Sequence, residues 1–169
     1  MDEFIDSYSD DQIYLTLLEK LVDGDPEEAP CPERIKYSSY CRLWSTMMIG
    51  SIEMMIKKWN TGDNLWSDIY SYFNRGTNEE RIDRLKEAFT VRGMKLDEDI
   101  FKDLLAIKYI RNAYVHGDWN AQQKTYVVER CFPDNLMQFS KPNFVRFQEV
   151  YASVMNALGT INAIKTISK

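Results

Sequence analysis

Residues 97–117 read DEDIFKDLLAIKYIRNAYVHG, and the periodicity of this stretch decides the fold class. Apolar side chains recur at three- and four-residue steps from Ile100 to Ile110, which is the spacing of an amphipathic α-helix. The acidic residues at the start suit a helix N-terminus, where the macrodipole favours negative charge. Gly117 is a residue type that commonly ends a helix. The stretch therefore predicts a helix over about residues 97–116 that buries one side in a core.

Two other long segments carry the same helical periodicity. It predicts a helix over about residues 33–59 and another over about residues 143–165, with Asn143 as the N-cap of the second. Between Phe144 and Ile161 the apolar positions alternate three- and four-residue steps. Such a heptad-like stripe is typical of a bundle core, and it would equally serve as a seam between two copies of the chain.

The rest of the chain predicts shorter elements. A first helix is expected from Asp10 to near Gly24, and another over about residues 65–73. A capping-box pattern at residues 77–80 opens a further helix, which ends before Gly93. Between residues 118 and 140 the pattern weakens, and Thr125 to Val128 fits either an extended piece or a helix. We expect one all-α domain over residues 1–169, an antiparallel helical bundle of about five to seven helices.

Composition narrows the class of protein. The chain has 169 residues, of which 44% are hydrophobic and 13% aromatic, enough to bury a full core. No apolar run approaches the roughly 20 residues of a membrane span, and the acidic N-terminus lacks a signal-peptide core. We therefore expect a cytoplasmic protein that does not contact membranes. Cys31, Cys41 and Cys131 match neither a disulfide framework nor a CxxC metal pair, and are expected to be structural thiols.

The net charge of -5 is unevenly distributed. Residues 1–30 contain ten acidic side chains against Lys20 alone, whereas the other 139 residues contain 20 basic and 16 acidic ones. The body of the chain is therefore basic, which is compatible with a nucleic-acid partner, because binding depends on a local patch. The acidic segment is equally compatible with an ordinary solvated surface.

His116 is the only histidine, and it lies at the end of the best-patterned helix. It is thus the one side chain that titrates near neutral pH without a large perturbation. Asn112 precedes it by four residues, so both project from nearly the same helix face. Arg111 is in phase with the buried stripe, where a cation needs a carboxylate, a carbonyl or a bound phosphate as partner.

The phrase Arg-Asn-x-x-x-His-Gly, from Arg111 to Gly117, resembles the ribonuclease motif of the HEPN superfamily. In that family an arginine is followed, after four to six residues, by a histidine at the end of a helix in a small all-helical domain. The resemblance implies a homodimer in which both copies of the motif line one cleft. It also implies that Arg111 holds the scissile phosphate, that His116 transfers a proton or orients the 2′-hydroxyl, and that Asn112 orients the substrate or the motif.

The chemistry open to these residues is cleavage of RNA by its own 2′-hydroxyl. That reaction needs a base, a cation at the crowded phosphate and an acid for the leaving oxygen. One chain supplies part of this set, and a dimer would supply the rest. No HxxxH, HExxH or HxE cluster occurs, so we expect neither a metal nor a cofactor. Tyr114 and Trp119 are candidate base-stacking residues, although tyrosines in such positions are more often core or rim aromatics.

Other functions remain open at this point. P-loop, GxGxxG and GxSxG motifs are absent, which disfavours an NTPase, a dinucleotide-dependent enzyme or an α/β-hydrolase. HEPN toxins paired with nucleotidyltransferase antitoxins usually carry a tyrosine two residues after the histidine. Here that position is Asp118, so AMP transfer is not expected.

The sequence thus predicts a metal-independent endoribonuclease of the toxin or phage-defence type that cuts single-stranded RNA. An antitoxin or regulatory protein is a possible partner. The alternatives are a HEPN-like interaction or nucleotide-binding module that does not cleave, and a structural helical protein. In the last of these, the helix dipole alone explains a histidine and an arginine near the helix C-terminus.

Overall fold

A computed structural model describes residues 33–59, 67–117 and 119–167, and all regular secondary structure there is helical. It confirms an all-α bundle. The helix expected from Asp10 to Gly24 lies outside the described residues. The elements are α1 (Glu33–Trp59), α2 (Ser67–Tyr70) with a 3-10 turn after it (Ser71–Phe73), α3 (Asn78–Thr90), α4 (Glu98–His116), α5 (Ala121–Glu129) and α6 (Lys141–Ile167).

Side-chain hydrogen bonds cap the N-termini of α3 and α4. Thr77 forms the expected capping box at the start of α3: its hydroxyl accepts from the Glu80 N–H, and the Glu80 carboxylate accepts from the Thr77 N–H. At the start of α4, the Asp97 carboxylate accepts from the Asp99 N–H at 2.9 Å. Each bond satisfies an N–H that has no partner within the helix.

In the C-terminal half the structure settles one open alternative and corrects one expectation. Thr125 to Val128 lie in α5, because Asn120 and Gln123 form a capping box that the weak apolar pattern did not reveal. The prediction of Asn143 as an N-cap is wrong, because α6 begins two residues earlier. Instead, the Asn143 side chain accepts from the N–H and the hydroxyl of Ser140, the residue before the helix.

The three long helices α1, α4 and α6 pack on one another around one cluster of buried side chains. The Trp44 ring of α1 meets Phe144 and Tyr151 of α6 edge-on, with ring centroids 5.8 and 5.1 Å apart. Such pairs add to the stabilisation from burial alone. Every helix and the turn after α2 contribute to the cluster, so the motif helix α4 is held on several sides.

Helix α4 runs antiparallel to α1. Tyr114, near the end of α4, reaches the carbonyl of Ser38 near the start of α1, whereas Lys108, one and a half turns earlier, reaches Glu53 in the second half of α1. This arrangement places the second half of α1 beside the turn of α4 that carries Arg111.

A buried carboxylate ties the other end of α4 to the helices that follow. Asp103 accepts hydrogen bonds from the guanidinium groups of Arg130 and Arg146, and Arg146 also donates to the carbonyl of Arg130 at 2.6 Å.

Of the two described cysteines, Cys41 is a buried thiol, as expected, and Cys131 is exposed; both are free. Across the described ranges, no helix has the length and apolarity needed to cross a membrane.

Candidate functional site

Helix α4 ends where the motif predicts. Gly117 adopts a left-handed conformation, with φ of 84°, and its N–H donates to the Ala113 carbonyl at 2.8 Å. A side chain at this φ would be strained, so glycine suits the position. His116 is the last helical residue and is exposed. Within the described part of the chain its imidazole makes no hydrogen bond or ion pair.

Arg111 is half-buried and only loosely compensated. Its Nη1 donates to the Asn112 side-chain oxygen at 2.9 Å, and its Nη2 lies 3.8 Å from the Glu53 carboxylate, beyond hydrogen-bond distance. The Arg111 Nε is buried without a hydrogen-bond partner among the described residues. The structure therefore brings Arg111 and Asn112 together, and Asn112 fixes one edge of the guanidinium.

Beneath Arg111 lies a buried polar network that the sequence analysis did not identify. Lys108, only 3% exposed, donates to the Glu53 carboxylate at 2.6 Å and to the Tyr72 hydroxyl. Tyr72 in turn donates to Glu53 at 3.0 Å. The three groups come from α4, α1 and the turn after α2, so the network fixes the position of the helix turn that carries Arg111.

The charges of this network depend on one another. Burial would raise the pKa of Glu53, but the attraction and hydrogen bond of Lys108, aided by Tyr72 and Arg111, hold that pKa below its ordinary value. Burial lowers the pKa of Lys108, and Glu53 opposes this. Burial also raises the pKa of the Tyr72 hydroxyl, and the nearby Glu53 charge raises it further. Glu53 is therefore the carboxylate that keeps Lys108 charged inside the bundle.

We expect acid to destabilise the protein through two carboxylates. Glu53 and Asp68, the latter hydrogen-bonded by Arg92, both have folded-state pKa values below their ordinary values of 4.5 and 3.8. Their stabilisation is thus present above those values and lost as the pH falls through the folded-state pKa values. Urea unfolding between pH 7 and about pH 3 should show a falling free energy of unfolding, with a smaller fall in Glu53→Gln. The exposed control Glu87→Gln should retain the parent slope. An unchanged slope in Glu53→Gln would contradict the assignment.

The two candidate stacking residues are both engaged with the protein. Tyr114 is partly buried, and its hydroxyl donates to the Leu136 carbonyl at 2.8 Å. Its ring packs against Phe139, and the Arg42 guanidinium lies 5.8 Å from the ring centroid. Trp119 packs against the core and is partly exposed. Tyr114 therefore fastens the end of α4 to α1 and to the segment before α6, and its stacking role stays a prediction.

One copy of the chain does not bring Arg111 and His116 together. Five residues of α-helix separate them, which corresponds to a rotation of about 140° around the helix axis. No hydrogen bond joins either Arg111 or Asn112 to His116 in the described residues. A reaction that uses both the cation and the imidazole at one phosphate therefore needs a flexible substrate that wraps the helix end or a second copy of the motif.

The residues missed by sequence reasoning left a recognisable signal. Lys108 precedes Arg111 by one turn within the apolar run that predicts the buried side of α4, and Glu53 follows Ile52 within an apolar part of α1. A lysine and a glutamate in such surroundings predict a buried ion pair. The pairing itself depends on how the helices pack, which periodicity does not specify.

No family model, curated protein or solved structure matches the chain. Groups of three or more histidine, cysteine or acidic side chains that could hold a metal ion do not occur in the described residues.

Proposed function

We propose that the protein is a metal-independent HEPN-type endoribonuclease that cleaves single-stranded RNA by attack of the 2′-hydroxyl. The observation that supports this most is the end of α4, where Asn112 holds the Arg111 guanidinium and the exposed His116 follows one turn later. Arg111 binds and neutralises the scissile phosphate. His116 moves a proton between the 2′-hydroxyl or the leaving oxygen and solvent.

The proposed enzyme is a homodimer, because one chain offers one imidazole for a reaction that uses both a base and an acid. Exposed apolar side chains near the helix end support a contact between copies. Val115 is 54% exposed, Leu43 50% and Met137 49%. Val115 directly precedes His116, and Leu43 and Met137 follow Arg42 and Leu136, which both contact Tyr114.

We expect sedimentation to give about twice the chain mass of 19.9 kDa at micromolar concentration. Val115→Asp should shift the protein towards monomer, because an aspartate in an apolar contact loses hydration without gaining a partner. Glu149→Asp, an exposed change on α6, serves as the control. A monomeric parent, or a Val115→Asp dimer as tight as the parent, would contradict the assembly.

The biological setting proposed for this activity is a toxin or phage-defence system, with an antitoxin or regulatory protein as partner. The direct test of the activity is incubation of the purified protein with single-stranded RNA in EDTA. In cells, expression should arrest growth, and His116→Ala should relieve the arrest.

A second candidate is a HEPN-like interaction or nucleotide-binding module that does not cleave. It is favoured by the separation of Arg111 and His116 around the helix within one chain. In that case Arg111 and Asn112 bind an anionic group, and His116 only stabilises the C-terminal end of α4. Binding of RNA or nucleotide without cleavage by the parent would distinguish this function.

A further inference from the structure

A second arginine resembles Arg111 in its surroundings. Arg81 lies on α3, which packs against α4, and its Nε is buried without a hydrogen-bond partner among the residues that the structure describes. Across the described ranges, only three buried side-chain polar atoms lack a partner, and two of them are the Nε atoms of Arg81 and Arg111. A buried guanidinium donor without an acceptor costs free energy, so each of these arginines has a donor for which the described residues supply no acceptor.

The positive charges of Arg81 and Arg111 affect the pKa values of the same two buried groups. The pKa of Lys108 is lowered by burial and, in addition, by both Arg81 and Arg111. The pKa of Tyr72 is raised mainly by burial and Glu53, and both arginines oppose that rise. The Tyr109 hydroxyl of α4 donates to the Glu79 carboxylate of α3, so the start of α3, which carries Arg81, lies beside the part of α4 that carries Lys108 and Arg111.

The network leaves an excess of positive charge. Arg81, Lys108 and Arg111 are three cations, and among the described residues Glu53 is the one carboxylate that forms an ion pair with any of them. One Glu53 oxygen accepts from both Lys108 and Tyr72, and the other lies 3.8 Å from Arg111. Arg81 forms no salt bridge among the described residues. The carboxylate is thus committed to Lys108, and the two guanidinium groups keep charge and donors for an external anion.

We propose that Arg81 and Arg111 together form a phosphate-binding site, with Arg81 as a binding residue outside the α4 motif. A phosphate oxyanion suits the site because guanidinium groups present paired N–H donors that match its oxygens. The Asn112 side-chain oxygen accepts from Nη1 of Arg111 and so helps to orient the guanidinium. This inference deepens the proposed function by adding a second residue that holds the RNA backbone, but phosphate binding itself does not require cleavage.

Binding is measured with a fluorescent single-stranded RNA in which every 2′-hydroxyl is methylated, so that the probe cannot be cut by its own 2′-oxygen. Arg81→Gln should weaken binding by about tenfold and lower the slope of log Kd against log salt by about one. Arg81→Lys should recover part of the affinity, since it restores the charge without the fork of donors. Arg75→Gln removes an exposed arginine just before α3 and should change affinity less than about twofold.

A second readout separates binding from a structural role. Because Arg81 carries an unpaired buried donor, Arg81→Gln should melt at the same temperature as the parent or higher, while it loses phosphate binding. Inorganic phosphate should raise the melting temperature of the parent above that in chloride of equal ionic strength, and should do so less in Arg81→Gln. If inorganic phosphate both stabilises the protein and displaces the RNA, the site binds free phosphate as well as RNA. RNA binding without a phosphate effect would assign it to the backbone diester.

The inference fails if Arg81→Gln binds the RNA and responds to phosphate as Arg75→Gln does. Its failure is distinguishable from that of the proposed function. If Arg81→Gln cleaves RNA at the parent rate, only the proposed role of Arg81 is contradicted. If the parent binds RNA through Arg81 but cuts none, the proposed cleavage is contradicted and the phosphate-binding site is supported.

Discussion

Arg111→Ala and His116→Ala should each reduce cleavage of single-stranded RNA by about 100-fold or more, the scale of losing one electrostatic or proton-transfer contributor. Arg111 supplies the cation at the phosphate, and His116 is the only imidazole in the chain. Asn112→Ala should cost less, because its side chain provides a hydrogen bond to Arg111 without charge. Initial rates with a labelled oligonucleotide at substrate excess would measure all three.

Control variants and melting temperatures separate a loss of catalysis from a loss of folding. His116 is exposed and makes no hydrogen bond or ion pair with other described residues, so His116→Ala should melt at the same temperature as the parent. Arg111→Lys keeps the charge beside Glu53 and separates loss of the guanidinium from loss of the cation. Lys95→Ala, an exposed change before α4, should leave the rate unchanged. Parent rates in both Arg111→Ala and His116→Ala would contradict the proposed catalytic roles.

Lys108→Met should destabilise the fold by about 2 kcal/mol or more, because it leaves Glu53 partly buried without its main partner. The loss should be smaller in the double variant Lys108→Met with Glu53→Gln, since the neutral amide no longer needs a cation and still accepts from Tyr72. Urea unfolding of the parent, both single variants and the double variant gives the coupling energy directly.

The chain offers a matched control for this cycle. Lys86 and Glu98 form an equally short salt bridge, at 2.5 Å, but their side chains are 40% and 63% exposed. Lys86→Met should therefore change stability by less than about 1 kcal/mol. Equal losses from Lys108→Met and Lys86→Met would show that the buried network contributes no more than a surface pair.

The sequence predicts most of this fold because the long helices carry strong local signals. The expected helices over 33–59 and 97–116 agree with Glu33–Trp59 and Glu98–His116, and the capping box at Thr77 is confirmed. These features depend on side-chain periodicity and on contacts within four residues. The apolar pattern alone does not predict α5, because the start of this helix depends on a pair of amide side chains, Asn120 and Gln123.

The candidate site was only partly predictable. Arg111 was expected to need a partner beside the buried stripe, and the structure places Glu53 near it and Asn112 against it. The roles of Lys108 and Arg81 could not be predicted, because they depend on charges from α1, α3 and α4 that meet only after the helices pack. Sequence spacing specifies which residues share a helix face, but not which charge from another helix faces them.

The most direct test of the central claim uses two matched oligonucleotides in EDTA, one all-RNA and one with a single 2′-deoxy nucleotide at the cut position. The reaction proposed here takes its nucleophile from the RNA and its catalytic groups from side chains. The parent should therefore cut the all-RNA strand, leave a 2′,3′-cyclic phosphate on the product, and fail to cut the deoxy strand at that position. Equal cutting of both strands, or cutting that appears only when a divalent metal is added, would contradict the claim.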